Sequence, residues 1–159
     1  FLIHSAALMN IALKNFLSHY KYPNPIPDSE DLLKEIYLVT DSKLHPKLDE
    51  MFKKIITYSS KIAEVESLKK NSFYEVSFKA DSKKYAENAT GIRKQISNDP
   101  TIDIGIYDEN GKLFRYNFPI KNNIIEGKIK VKNKPQRIVI DLYLMNIDTF
   151  IKDNEKEID

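Results

Sequence analysis

The sequence predicts an α+β chain: a short N-terminal segment of about three helices over residues 1–58, then a seven-stranded antiparallel β-sandwich over residues 59–159. Three observations carry that reading. Before Tyr58 the apolar residues recur at three- and four-residue spacing, and after it they alternate. All four glycines, Gly91, Gly105, Gly111 and Gly127, lie in the second part. Turn signals also punctuate that part about every 8–12 residues, the rhythm of a sandwich of short strands.

In the helical part, Ala7, Leu8, Ile11, Ala12, Asn15 and Phe16 share one helical stripe, and the apolar run from Phe1 to Leu17 reads as a buried helix. His4, Asn10 and Lys14 interrupt that run, which excludes a membrane span, and it has neither a basic leader nor a small-residue cleavage site. The chain begins at Phe1 rather than Met, inside this helix, which suggests a segment of a longer polypeptide. Pro23 to Asp28 stop the helix. Asp28 then serves as N-cap for a second one presenting Leu32, Leu33, Ile36, Tyr37 and Val39, with Asp31 favourable in its first turn. A third helix starts near Asp41 or Ser42 and tolerates Pro46 in its first turn. It presents Leu44, Leu48, Met51, Phe52, Ile55 and Ile56.

Beyond Tyr58 a first strand holds Ile62 and Val65 and ends at a polar turn, Lys69 to Ser72. The second turns Tyr74, Val76, Phe78 and Ala80 inward, and a polar loop through Asn88 and Gly91 follows. A weak strand near Ile92–Ile96 precedes the turn Asn98-Asp99-Pro100. Ile102, Ile104 and Ile106 form the next buried face, and Asp108-Glu109-Asn110-Gly111 is a hairpin signal returning through Phe114, Tyr116 and Phe118. Ile125, Gly127, Ile129 and Val131 make the sixth strand. The last sets Ile138, Ile140 and Leu142 on one side and Val139 and Asp141 on the other, and its Asp-rich exit reads as a tether. Seven such strands fit an immunoglobulin/fibronectin-like sandwich. The tyrosines and phenylalanines fall largely at core-facing positions, which suits packing better than a ligand cage.

Composition narrows the chemistry. At 42% hydrophobic and 30% charged, the chain is ordinary for a folded domain, and a net charge of +2 does not call for nucleic acid as partner. Without cysteine there is no disulfide, thiolate nucleophile or Cys-ligated zinc. The three histidines, His4, His19 and His45, are too scattered for a standard ligand spacing. No G-x-S-x-G elbow, Walker loop or G-x-G-x-x-G occurs. The late carboxylates, Asp141, Asp148, Asp153, Glu155, Glu157 and Asp159, lack EF-hand spacing and read as a solvated tail. One basic feature is a candidate binding surface for phosphates or an anionic membrane: Lys128, Lys130 and Lys132 on one strand face, with Lys134 and Arg137 close by. The same pattern also serves to block edge-to-edge aggregation.

Taken in order, ALKNFLSHYKY from Ala12, PIPDSEDLLKEI from Pro25, LDEMFKKIITYSSKIAEVE from Leu48, FYEVSFKADSKKYAENATGIRKQ from Phe73, IDIGIYDENGKLF from Ile102, and KPQRIVID and IDTFIKDN near the end carry a likeness. Together they resemble the C-terminal part of an aminopeptidase-N-type gluzincin, a zinc metallopeptidase, of the bacterial kind fused to ABC-transporter permease segments. One departure is Leu142, where the family tends to have Pro. In such peptidases the H-E-x-x-H helix and the downstream Glu ligand precede the region matched, so no catalytic, cofactor or metal residue carries over to this chain. The resemblance implies a non-catalytic scaffold that packs against an upstream catalytic lobe of the same parent polypeptide, with zinc confined to that lobe. The parent would be a bacterial membrane protein with this part in a soluble domain. An alternative is a free-standing sandwich that binds a protein, a glycan or an anionic surface. A metal-independent enzyme is a third reading, for which the sequence offers no nucleophile–base pair.

Overall fold

The computed structural model describes residues 2–159, with side chains described from Ala6 onward, so the His4 side chain lies outside the described residues. By backbone contacts the chain divides into two compact units, Phe1–Lys54 and Ile55–Asp159.

The first unit is helical: α1 (Leu2–His19), α2 (Ser29–Val39), a 3-10 turn at Ser42–Leu44, and α3 (His45–Lys53). Asp28 caps α2 as its sequence predicts. Its carboxylate accepts from the N–H groups of Glu30 and Asp31, and Asp31 accepts in return from the Asp28 N–H, so orphan amides of the first turn are satisfied. The α1–α2 pair closes over Ala12, Leu33 and Ile36, all buried. The expectation that the first helix is buried fails. Met9, Ile11, Leu13 and Leu17 are exposed, Leu17 by 68%, and among the described side chains of α1 Ala12 is the buried hydrophobic one. An 18-residue helix lying on an 11-residue one buries a single stripe, and α1 carries apolar side chains outside that stripe. Among the described residues no helix is long and apolar enough to cross a membrane.

Ile55 and Ile56, expected at the end of α3, instead open the first strand. A run of two isoleucines and a threonine is stiff at χ1 and suits extended backbone. The second unit holds eight strands: β1 (Ile55–Lys69), β2 (Tyr74–Glu87), β3 (Arg93–Ile96), β4 (Thr101–Asp108), β5 (Leu113–Pro119), β6 (Ile124–Val131), β7 (Pro135–Ile140) and β8 (Glu155–Glu157). They form two four-stranded sheets with antiparallel ladders. In one, β2 is flanked by β1 along its length, while β6 and β3 share its other edge; the second runs β5-β4-β7-β8. Both sheets feed one core: Val76, Phe78, Ala80, Ile125, Ile129 and Val131 from the first, and Ile102, Ile104, Ile106, Ile138 and Ile140 from the second. All seven predicted strands are present, and the alternation predicted for β2, β4 and β6 is the alternation of burial observed. β2 runs seven residues past Ala80 into the stretch read as loop, burying Ser82 and Lys84.

The tail departs from expectation. Instead of a solvated tether, residues 151–158 form a 3-10 turn (Ile151–Asn154) and then β8 on β7, with Asn154 and Ile158 buried. Ile158 joins the core, and its N–H donates to the Gln136 carbonyl at 2.7 Å. β7 also stops at Ile140, one step before Asp141, which takes φ 50° and turns inward rather than outward. The aromatic expectation holds for Tyr74, Phe78, Phe114, Tyr116 and Phe118, which pack against the core, and fails for Tyr22, Phe52, Tyr143 and Phe150, which are exposed.

Packing leaves no room for a Cβ at Gly105, against Leu142, or at Gly127. Gly127 stands opposite Phe78 across the β2–β6 ladder, and the Phe118 ring from the other sheet fills its empty place, edge-on to Phe78 at 5.0 Å. A Cβ on Gly127 would lie 2.2 Å from that ring. Gly127→Val is therefore expected to destabilise the unit by about 2–3 kcal/mol, read as a lower urea midpoint with an unchanged m-value. A neutral result would mean that Phe118 can leave the core without cost.

Candidate functional site

The structure brings Lys128, Lys130 and Lys132 together on the outward face of the β6 strand and its extension, alternating with buried Ile129 and Val131. The face is of mixed sign. Lys130 stands opposite Glu75, the Lys128 ammonium lies 3.8 Å from the Glu75 carboxylate, and Glu126 occupies the same face two residues earlier. Lys130 also approaches the Phe73 ring at 5.1 Å. Lys134 sits in the turn before β7, where its carbonyl accepts from the Glu109 N–H. Arg137 belongs to the other sheet. Its guanidinium donates to Glu155 at 2.9 Å and lies over the Tyr107 ring at 4.7 Å. Four of the five basic residues thus follow one another along the chain from β6 into the turn, and the fifth is engaged elsewhere.

Sequence reasoning missed the polar centre of this unit. Lys84 is 3% exposed at its side chain, its ammonium is 3.2 Å from the Asp99 carboxylate, and the Tyr58 hydroxyl donates to the other Asp99 oxygen at 2.7 Å. Asn98 fixes the turn that carries Asp99. Its amide donates to the Ser82 carbonyl and its oxygen accepts from the Asp99 N–H. Ser82 falls in the gap between the β6 and β3 ladders on β2, and the Asn123 carbonyl accepts its N–H there. Beside this network opens a largely polar cleft of about 480 Å³, lined by Gln95, Ser97, Asn98, Asp99, Asn122 and Asn123 together with Ile96, Pro100 and Ile120. The Asn-Asp-Pro turn was legible, but nothing local marks Lys84, a lysine on an otherwise alternating strand, as its partner.

A second feature was read as part of a tether. The segment after β7 exposes six large side chains: Tyr143, Leu144, Met145 (80%), Ile147, Phe150 and Ile151. Two carboxylates hold its backbone. Asp141 accepts from the N–H groups of Met145 and Asn146, and Asp148 accepts from those of Ser60 and Phe150 and from the Asn154 amide. The segment also runs beside β1, with the Tyr58 N–H donating to the Ile147 carbonyl and the Thr149 N–H to that of Tyr58.

Burial raises the Asp141 carboxyl above the ordinary carboxylate range, against the two N–H donors that favour its ionised form. A pKa raised on folding means that this group's contribution to stability is complete below the unfolded value of about 3.9 and is lost as pH rises through the higher folded value. Asp108 has the opposite sign. The Asn133 amide, then the Lys112 and Asn110 N–H groups, hold its carboxylate below the usual range, so its contribution is present above about pH 3.9 and is lost as pH falls through the lower folded value. Asp141→Asn, an amide that tolerates φ 50°, is expected to leave the unit at least as stable at neutral pH and to reduce the fall in stability above pH ~4, to which Asp153, also raised by burial, contributes as well. Urea unfolding across that acid range tests this, and an unchanged slope would reassign the effect.

Of the histidines, His19 Nδ1 meets the nearly buried Glu35 at 2.7 Å, and His45 stacks on Tyr37 at 4.4 Å. Among the described residues, no three or more His, Asp or Glu side chains form a group that could hold a metal. No family model matches the chain, and neither a curated protein nor a solved structure matches it.

Proposed function

We propose that this chain is a non-catalytic scaffold of a zinc aminopeptidase-like protein, its two-sheet unit a sandwich of the immunoglobulin/fibronectin type, and that the helical unit docks on the catalytic lobe of the same parent polypeptide. The observation that carries the reading is the apolar surface left on the helices: Ile11, Leu13 and Leu17 on α1, Leu38 on α2, and Met51 and Phe52 on α3. Six large apolar side chains exposed on the three helices of one unit support an interaction surface. The ordered likeness along the chain is what suggests a catalytic lobe as the occupant.

The test has two arms. Zinc calorimetry beside an aminopeptidase assay on an amino-acyl-p-nitroanilide is expected to show neither stoichiometric zinc nor turnover, and tight zinc with turnover would overturn the reading. In the second arm, polar substitution of Ile11, Leu17 and Met51 is expected to leave thermal stability unchanged while abolishing co-purification with the catalytic lobe supplied in trans. Retained co-purification would remove the helical face from the interface.

The polar cleft favours the second reading, a free-standing binding module. Its amide, hydroxyl and carboxylate groups suit a hydrogen-bonding ligand such as a glycan. Saturable shifts of the Gln95, Asn122 and Asn123 side-chain amide resonances on sugar titration would support it, and a flat titration would remove it.

A further inference from the structure

We propose that Asn110, at the tip of the β4–β5 hairpin, is a site of spontaneous deamidation, driven by the Gly111 nitrogen and held in check by the Asp108 carboxylate. The inference stands on the two-sheet unit alone and does not rest on the scaffold reading.

Asparagine is among the thermolabile side chains, and its loss here needs no partner but water. The Gly111 backbone nitrogen bonds to the Asn110 side-chain carbonyl carbon, its proton passes to the departing group, and ammonia leaves a five-membered succinimide. Water then opens that ring at either carbonyl, giving aspartate or isoaspartate. A side chain on the following residue crowds the attack, and Asn110 is the one asparagine in the sequence followed by glycine. The surroundings leave it free to occur. Asn110 and Gly111 are both exposed, and a Cβ built on Gly111 meets nothing within 4 Å. The hydrogen bonds of the turn use the Asn110 N–H and not its side chain. Gly111 also cannot be exchanged without cost, because the hairpin holds it at φ 73°.

The restraint lies in the backbone. The Gly111 N–H donates to the Asp108 carbonyl at 2.9 Å, and attack requires that bond to break. One Asp108 carboxylate oxygen accepts from the N–H groups of Asn110 and Lys112, each at 2.9 Å, and the Asn133 amide donates to the other at 2.7 Å. Asp108 has no exposed surface and ends β4, so the tip opens only against these bonds. The product adds one negative charge beside Asp108 and Glu109, which takes the net charge from +2 to +1. Its isoaspartyl form also inserts a carbon into the main chain of the turn.

The test is incubation of the full chain at mildly alkaline pH and body temperature, beside a synthetic peptide of residues 107–114 that lacks the rest of the sheets. Peptide mapping by mass spectrometry is expected to find Asn110 converted, partly to isoaspartate, ahead of every other asparagine, with a matching acidic species on ion exchange. The free peptide is expected to convert about tenfold faster or more, because it need not break the bonds that close the turn. Asn133→Ala, which takes one donor off the Asp108 carboxylate, is expected to speed conversion of the chain several-fold. Asn110→Gln must close a larger ring and is expected to lose the acidic species while melting as the wild type does. An intact Asn110 in the chain, under conditions that convert the peptide, overturns the proposal. An unchanged rate in Asn133→Ala overturns the part given to Asp108, and an acidic species that persists in Asn110→Gln places the reaction on another residue.

Discussion

Ile138→Ala is expected to lower the unfolding free energy of the two-sheet unit by about 3–4 kcal/mol, the largest effect of any single truncation proposed for this chain. Ile138 has no exposed surface and lies on β7, which is paired on both sides, by β4 and β8. Losing its outer carbons removes contacts with core residues of both sheets. The hole cannot close, because the ladders on either side fix the β7 backbone. For a unit of about this size, the loss corresponds to a fall in Tm of roughly 12–25 °C. Ile138→Val, a single methylene, should cost only about 1 kcal/mol. Thermal melts of the two variants test the claim through their ratio. If alanine cost no more than valine, the two sheets would not share a packed core at this position.

Asp99→Ala is the second. It removes the carboxylate that faces a buried ammonium, and breaking such a pair from one side is costly because the remaining charge stays in the interior. Asp99 is itself about a quarter exposed, so solvent relieves part of the loss, and about 2–3 kcal/mol is expected. Lys84→Met in the Asp99→Ala background is expected to recover most of it, since a thioether of similar reach accepts burial that an ammonium resists. A double-mutant cycle by urea unfolding decides the matter. Additive effects would mean that Lys84 and Asp99 do not stabilise one another, and the 3.2 Å approach would be incidental. Tyr58→Phe, which removes the hydroxyl bonded to Asp99, should fall between the single variants and the wild type.

The extent to which the structure was legible follows the range of the interactions. The sequence by itself determined the elements whose signal is local. The Asp28 capping box, the alternation of Tyr74 to Ala80 and of Ile102 to Ile106, and the hairpin at Asp108–Gly111 each depend on residues within a few positions of one another. The change of period near Tyr58 marked where helices give way to strands. The β-branched pair Ile55-Ile56, whose spacing also suits a helix, was assigned to the wrong side of that change.

Only the tertiary structure decided the rest. Lys84 finds Asp99 across 15 residues, Tyr58 finds it across 41, and Asp148 reaches the Ser60 amide across 88. No period or spacing encodes such pairs. β8 is three charged residues with no pattern of their own, and it is a strand because β7 offers an edge and Ile158 a hydrophobic hold. Asp141 reads as an outward position of a strand that in fact ends one residue earlier, so its burial depends on where the ladder stops. Local periodicity determines which face of an element is apolar. Whether that face is covered depends on what the rest of the chain brings to it, which is why Ile138 is sealed while Leu17 and Met145, equally apolar, stand in water.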